Sequence, residues 1–535
     1  MGRQGRWTSF AVALAAAAGV AVMTAGAGAA TKPSARGETD AGAQALQASA
    51  LAPQAALAAL DTASGVSNRG KMRRAQTRPT LQALSTTAGV KRYLRSIGVN
   101  PAGIVIQRGR LNYAGPTCPG KAWTCTNAHK VVQIASRAAS AGTGRTVADR
   151  GNEPPGLNRV DCPPDTTFDT GPGLPPGTIC VILQVAQPGA NNDATCIIET
   201  TTPAAAQGCS IVQVNADGKN RAVVREVARQ TAVSTPPFGG AFDQIALQTA
   251  SVEQYNQRGD NDAQLTQRID QRINEERQAT SPQHASGAGQ SMRLYQQGDS
   301  ANRAGIEQTY DQNIHNLARD VSDLELGIQG MTVNQCGTSS GFCVLGPADQ
   351  TVHMSQTFSQ ALDAPQAISG FQGQSAQPFE SQCRVEDQTG APPTCGTVNQ
   401  ISGGVSRAFV KQKGLQRASA PKTSRVSQRQ DDPFSCCTGD PQAQLANPNN
   451  HFELDQDRTQ LANSSIYVQL ADVMEGSCLT SGRCAVRQRA NQNGDVTLNS
   501  CDRPDCDIRI VCPPGGAPCV AVPGTTPGML ARRRG

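Results

Sequence analysis

Between Cys209 and about Ile314, apolar and amide side chains recur at every second position, and the pattern is repeated. One run reads Asn220, Ala222, Val224, Glu226, Ala228, Gln230, Ala232. Forty-one residues on it reads Asn261, Ala263, Leu265, Gln267, Ile269, Gln271, Ile273, and after the same step Asn302, Ala304, Ile306, Gln308, Tyr310, Gln312, Ile314. The positions between them vary: Arg221, Asp262 and Arg303, then Val223, Gln264 and Gly305. Steps of two place all retained residues on one face of a strand. On a helix the same steps would scatter them around the whole circumference. The pattern therefore predicts extended arms. The competing helical reading rests on Leu265, Ile269 and Ile273 at i, i+4, i+8 and on the helix formers of Asp270–Gln278. A third reading is a Gln-rich disordered segment.

The upstream flank repeats as well. Ser210, Ile211, Gln213, Asn215 and Gly218 match Ser251, Val252, Gln254, Asn256 and Gly259. The unit is then an arm, a turn at Ala216-Asp217-Gly218-Lys219, and a second arm from Asn220. A glycine at the turn predicts a backbone with positive φ. An older copy aligns Cys180, Ile182, Gln184, Val185, Gly189 and Asn191 with Cys209, Ile211, Gln213, Val214, Gly218 and Asn220. A degenerate one runs through Met354, Gln356, Phe358, Gln360 and Leu362. The start of the unit recurs at Cys484, Val486 and Gln488.

One such arm cannot bury its apolar face alone, but stacked copies can, with Asn and Gln bonding along the stack. The expected fold is all-β, a β-solenoid-like repeat array with disulfide-stapled β-rich flanks. Asn261-Asp262-Ala263 with Gln267, and Asn302-Arg303-Ala304 with Gln308, resemble the Asn-x-Ala-x-x-x-Gln tail of curlin repeats, the units of bacterial curli fibres. Asn220 and Ala222 fit the same tail but meet Glu226. The period is longer than a curlin unit and the chain carries cysteines. The resemblance implies an extracellular β-rich fibre or solenoid.

The remaining chain divides by composition. Residues 1–29 read as a secretory signal: Arg3 and Arg6, the apolar Phe10–Met23, then small-residue cleavage sites at Ala25–Ala29. Residues 30–90 form an Ala-rich linker, within which Ala43–Leu60 could form a weak helix. Residues 91–209 are a Cys-containing β-rich region, with strands expected at 103–107, 111–115 and 131–134. Residues 210–330 hold the 41-residue array; Leu317, Val321 and Leu324 predict a helix over Asn316–Leu326. Residues 331–407 hold the degenerate repeat with two disulfides, 408–435 a basic linker, 436–522 a Cys-rich module with strands at Ile508–Ile510 and Val520–Val522, and 523–535 a tail. Docking on anionic polymers is the functional alternative for the basic stretch.

The 18 cysteines fall into even groups of six, four and eight. With an export signal this reads as a disulfide framework. Cys118–Cys125, Cys336–Cys343 and Cys478–Cys484 are the short-range pairs expected. Zinc is the rival, but no Cys-x-x-Cys pair is present.

Candidate chemistry is sparse. There is no zincin, nucleophile-elbow, P-loop or dinucleotide motif. His129, His284, His315, His353 and His451 stand apart and read as surface residues. Asp217-Gly218, Gly259-Asp260 and Gly494-Asp495 read as turns rather than calcium ligands. No catalytic, cofactor or metal residue is assigned. A net charge of +6 on 535 residues does not point to nucleic acid, and no second stretch is apolar enough for a transmembrane segment. The expected function is a secreted structural or adhesive protein of the cell surface or matrix, with itself or cell-surface polymers as partners. The alternatives are a soluble glycan- or protein-binding module and a solenoid polysaccharide lyase or hydrolase.

Overall fold

A computed structural model describes residues 84, 86–96, 101, 103–128, 130–135, 156–162, 177–232, 243–275, 283–337, 346–378, 398–419, 425–434, 449–463, 466–476, 483–491, 496–498 and 507–511. Among the described residues one helix, α1 (Thr87–Ser96), precedes the strands β1 (Val105–Gly109), β2 (Leu111–Ala114), β3 (Thr124–Thr126), β4 (Lys130–Ala135), β5 (Gly156–Cys162), β6 (Gly177–Ala186), β7 (Ala190–Thr200) and β8 (Ala204–Asn215). The array follows as β9 (Asn220–Ala232), β10 (Gln244–Asn256), β11 (Asn261–Glu275), β12 (Gln283–Gln297), β13 (Asn302–Asn316), β14 (Asp320–Cys336) and β15 (Gln350–Asp363). Then come β16 (Ser369–Pro378), β17 (Val398–Ile401), β18 (Ser406–Ser419), β19 (Arg425–Phe434), β20 (His451–Asn463), β21 (Ile466–Gly476), β22 (Arg483–Asn491), β23 (Val496–Leu498) and β24 (Asp507–Val511).

Each arm falls in one of two 12-stranded sheets, and successive long strands alternate between them. The first sheet runs β1-β4-β6-β8-β10-β12-β14-β16-β19-β21-β23, with β17 beside β14. The second runs β24-β22-β20-β18-β15-β13-β11-β9-β7-β5-β2-β3. All pairings are parallel, as in β11 on β13, where Asn261 meets Asn302 and Ile273 meets Ile314. Two strands make one coil, so the described chain forms a β-solenoid of eleven coils; β3 and β17 are the extra segments.

The 41-residue period is therefore one full coil. Retained residues face inward between the sheets, which is why β11 alternates buried and accessible along its whole length. Leu265, Ile269 and Ile273 are inward neighbours on a strand, so in-register pairing overrides the helical spacing. Large and small side chains interlock across the core. Tyr310 and Phe358 stack at 5.4 Å on the second sheet, opposite Ala288, Ala376 and Gly327 on the first; a Cβ at Gly327 would strike the Tyr310 ring.

The outer faces differ. The second sheet shows charged and polar residues to solvent, whereas β8 and β10 are buried on both faces. Over the first coils, Leu84 with Val90 and Leu94 of α1 packs on Val132, Leu183, Val185, Val212 and Val214 of the first sheet.

Several expectations are corrected. Asn316–Leu326 is not helical: β13 ends at Asn316 and β14 begins at Asp320, pairing Asp323 with His284 and Leu324 with Ala285. The basic stretch read as a linker contains β18 and β19; Val410, Gln412 and Gln416 turn inward while Arg407, Lys411, Lys413 and Arg417 face out. Asn191 is not the counterpart of Asn220. Asn192 is, because the turn after β6 is one residue longer. Cys484, Val486 and Gln488 lie in the second sheet, beneath Phe452, Leu454 and Gln456, and not in the first-sheet position of Cys209. Positive φ occurs at Gly103 and Gly189 and not at Gly218 or Gly259. Those two glycines are needed for close approach: a Cβ at Gly259 would strike the Gly218 carbonyl of the turn below. Ala43–Leu60, Gly494-Asp495 and Val520–Val522 lie outside the described residues.

Candidate functional site

The residues singled out by the repeat form continuous amide ladders inside the solenoid. Asn112, Asn158, Asn192, Asn220 and Asn261 each donate from Nδ2 to Oδ1 of the next, ending on Asn302, at 2.8–2.9 Å. In the first sheet a glutamine ladder joins Gln107, Gln133, Gln184, Gln213, Gln254, Gln296, Gln335 and Gln400, each donating to the one before. In the second sheet Gln271, Gln312, Gln360, Gln416 and Gln460 extend a ladder from Gln230. Gln267, Gln308, Gln356, Gln412 and Gln456 extend another. The second amide hydrogen commonly crosses to the other sheet, as Gln267 Nε2 does to the Ser291 carbonyl at 3.1 Å. Amides in the interior of these ladders thereby find their partners, without which burial would cost free energy, whereas the end members Asn112 and Gln460 each keep an oxygen without one.

Glu226, the departure from the repeat, now has a reason. It accepts from Gln267 at 2.7 Å and stands where that ladder begins, above Ile198 of the preceding coil. A glutamine there would aim an N–H at an isoleucine. Glu325 similarly begins a ladder, accepting from Gln374 at 2.9 Å, which accepts from Gln428 at 2.8 Å.

The turns are stitched too. Asn215 and Asn256 fold back on the turn backbone, with Gly218 and Gly259 donating to their Oδ1 at 3.0 and 2.9 Å. Asp217 and Asp260 meet Arg258 and Arg303 at 3.8 and 3.7 Å, binding one coil to the next.

Cys118–Cys125 is a disulfide as expected. Cys336 is disulfide-bonded, but Cys343 lies outside the described residues, as do Cys478 and the Cys484 side chain. Two further disulfides, Cys162–Cys180 and Cys196–Cys209, cross between the sheets. They stack on each other, since Cys162 pairs with Cys196 in register and Cys180 with Cys209. The Cys180/Cys209 repeat was the sequence signal for this stacking.

His284 is not a surface residue. It is buried with Asp243, Glu275 and Asp323, acids far apart in sequence. His284 Nδ1 lies 3.2 Å from Asp243 Oδ2 and Nε2 lies 3.8 Å from Glu275 Oε2. Asn316 donates to Asp323 at 2.8 Å. Burial works against a charged ring at His284, but the Asp243 bond and the neighbouring carboxylates outweigh it and hold its pKa up. Burial lifts Asp323 to about 6, and burial raises Glu325 well above the usual carboxylate range. Sealed in the core, these raised groups link folding to proton uptake.

The accessible chemistry lies on the outer face of the second sheet. An open groove of about 470 Å³ crosses β11, β13, β15, β18 and β20. One row along its floor reads Gln264, Gly305, His353, Phe409, Glu453; the next reads Thr266, Glu307, Ser355, Lys411, Asp455. His353 and Phe409 stack at 4.8 Å with 7° between ring planes, and His451 lies tilted 5.4 Å from Phe409. Sequence reading missed this group because each row is assembled from five coils.

Comparison with protein-family models, with curated proteins and with solved structures finds no match to this chain.

Proposed function

We propose that the protein is a secreted structural or adhesive component of the cell surface or matrix, a rod built from curlin-like repeats. The observation that carries this reading is the unbroken Gln107–Gln400 ladder, which ties eight coils of one sheet into a single hydrogen-bonded column. At about 4.8 Å per strand, eleven coils give a rod about 50 Å long. Strands taper from 17 residues in β14 to five in β1 and β24 and three in β3 and β23. Short edge strands offer little to pair with, which favours a finite rod over an open-ended fibre.

The test is fractionation of producing cells together with negative-stain microscopy of the purified mature protein. Recovery outside the cytoplasm as discrete short rods is expected. Retention in the cytoplasm would overturn the reading; long fibres would instead establish curlin-type polymerisation.

A further inference from the structure

We propose that the uncharged Ala-rich segment Ala43–Leu60 docks as a helix on the outer face of the first sheet, beside α1, and seals β8, β10, β12 and β14 on that side. Outward-pointing side chains that are nevertheless buried are the starting point. On β10 the inward residues are those of the amide columns, Gln248 and Gln254, so Ile245, Leu247 and Thr249 face away from the core. Leu247 and Thr249 are fully buried all the same, and Ile245 nearly so. The register carries this along the stack. One outer row reads Ala206, Leu247, Gly289, Ile328, and the next reads Gly208, Thr249, Ser291, Gly330. Both rows are buried throughout.

A cover therefore lies over these rows, and α1 is not that cover. With Leu84 it belongs to the cluster that holds Val212, Val214, Tyr255 and Tyr295, on rows nearer the turn. Among the described elements, β10 meets β8 and β12 at its edges and β9 and β11 across the core. None of these stands on the outer side of Leu247.

Position, chemistry and shape select the occupant. Leu84 is wholly buried in the α1 contact, so the chain upstream of α1 reaches the sheet on this face. Ala43–Leu60 carries no charged residue, whereas the connections 136–155 and 379–397 carry several. Residues 512–531 are also uncharged, but they are rich in Pro and Gly, which oppose a helix, and they follow the last strand at the far end of the stack. Leu46, Ala50, Pro53, Leu57 and Leu60 recur at steps of four and three, one stripe of a helix that Pro53 bends in its middle. The Gly and Ala positions of the two rows leave room for a helix backbone to come close. Eighteen residues give about 27 Å of helix, more than the roughly 14 Å from β8 to β14.

The segment is then part of the folded body rather than a stalk. Without it, an apolar sheet face would be open to the same face of another rod.

The experiment uses the full mature protein. In separate variants Leu46 and Leu57 are replaced by p-benzoylphenylalanine, an equal mixture of isotope-labelled and unlabelled chain is irradiated, and cross-linked peptides are mapped by mass spectrometry. We expect cross-links within one chain, to peptides of β8, β10, β12 or β14. Cross-links between chains would give the face to a second copy. Cross-links to second-sheet peptides alone, or none to protein, would leave the segment undocked. Each of these results overturns the proposal. A second measurement reads the sheet side. Leu57→Asp with Leu60→Asp should raise hydroxyl-radical labelling of Leu247 and Ile328 by about threefold or more, through loss of the covering contact, with Leu265 and Ile306 in the core unchanged. Unaltered labelling of Leu247 and Ile328 would equally overturn it. Labelling of Leu265 and Ile306 as well would mean that the double variant has unfolded, and the cross-link map then decides alone.

Discussion

The coils from β5 to β8 and those from β9 to β15 share one inward pattern but are closed by different means. In the earlier coils, Cys162 and Cys196 on one sheet are bonded to Cys180 and Cys209 on the other. In the array the same columns hold Val224, Leu265 and Ile306 on one sheet and Ala250, Met292 and Met331 on the other. A covalent staple and a packed apolar pair thus occupy the same slot beside the glutamine column. The array strands carry no cysteine before Cys336, so their two sheets are held by apolar packing and by amides that cross from one to the other. The ladder is common to both regions, while the inter-sheet closure is interchangeable.

Reduction separates the regions most sharply. The two inter-sheet disulfides close loops with sequence separations of 18 and 13, worth about 3 kcal/mol each in unfolded-state entropy. Hydrogen exchange should show protection falling in β5–β8 after reduction and little changed in β11–β13. Uniform loss would mean that the solenoid is one cooperative unit. Gln267→Leu works in the other direction. It removes the donor to Glu226 and to the Ser291 carbonyl and the acceptor for Gln308, at a cost of about 4 kcal/mol. Chemical denaturation should show that loss with the disulfides intact; a loss below 1 kcal/mol would remove the ladder from the account of the array.

The buried cluster adds a pH dependence to the array coils. Asp323 has a folded pKa near 6, above its unfolded value, so the folded state binds its proton more tightly. Stability from this group is present below about pH 4 and is lost as pH rises through 6, by up to about 3 kcal/mol. His284, also raised, acts in the same sense: its contribution is complete below its unfolded pKa and is lost as pH rises through the folded one. The melting temperature should be higher at pH 5 than at pH 8, and Asp323→Asn should flatten that difference. An equal slope in the variant would assign the effect elsewhere. The smallest effect is expected from Glu325→Gln. Burial already favours the neutral acid there, so an amide of the same shape should shift stability by less than about 1 kcal/mol, read in the same melts.

The period-two alternation made the array legible as strands, and it also marked the inner face. What it could not mark was strand length beyond the clean copies. The basic stretch hid β18 because Lys411, Lys413 and Arg417 dominate its composition. Yet Gln412 and Gln416 keep the four-residue spacing of Gln267/Gln271 and Gln308/Gln312, a signal independent of charge. Leu317, Val321 and Leu324 matched a helical spacing by coincidence, and neighbouring strands imposed extension instead. The groove and the His284 cluster were not legible at all. Each brings together side chains from different coils, His284 and Asp243 across 41 residues, Gly305 and His353 across 48 and His353 and Phe409 across 56, which become neighbours only once the coils are stacked.

Every glutamine ladder points its donors toward the N-terminal end, whatever the length of chain between its members. Stacked partners are 41 residues apart in the array, 48 between Gln308 and Gln356, 56 between Gln356 and Gln412, and 44 between Gln412 and Gln456. A coil therefore presents the same connection above and below, and the loops absorb any difference. Such a coil can be duplicated or deleted as a whole gene segment without leaving a mismatched joint. Glu226 and Glu325 are the exceptions, since each fixes where a ladder starts. A coil added or removed beyond them would change the height of the stack by one strand spacing and leave these two acids as the points from which their ladders start.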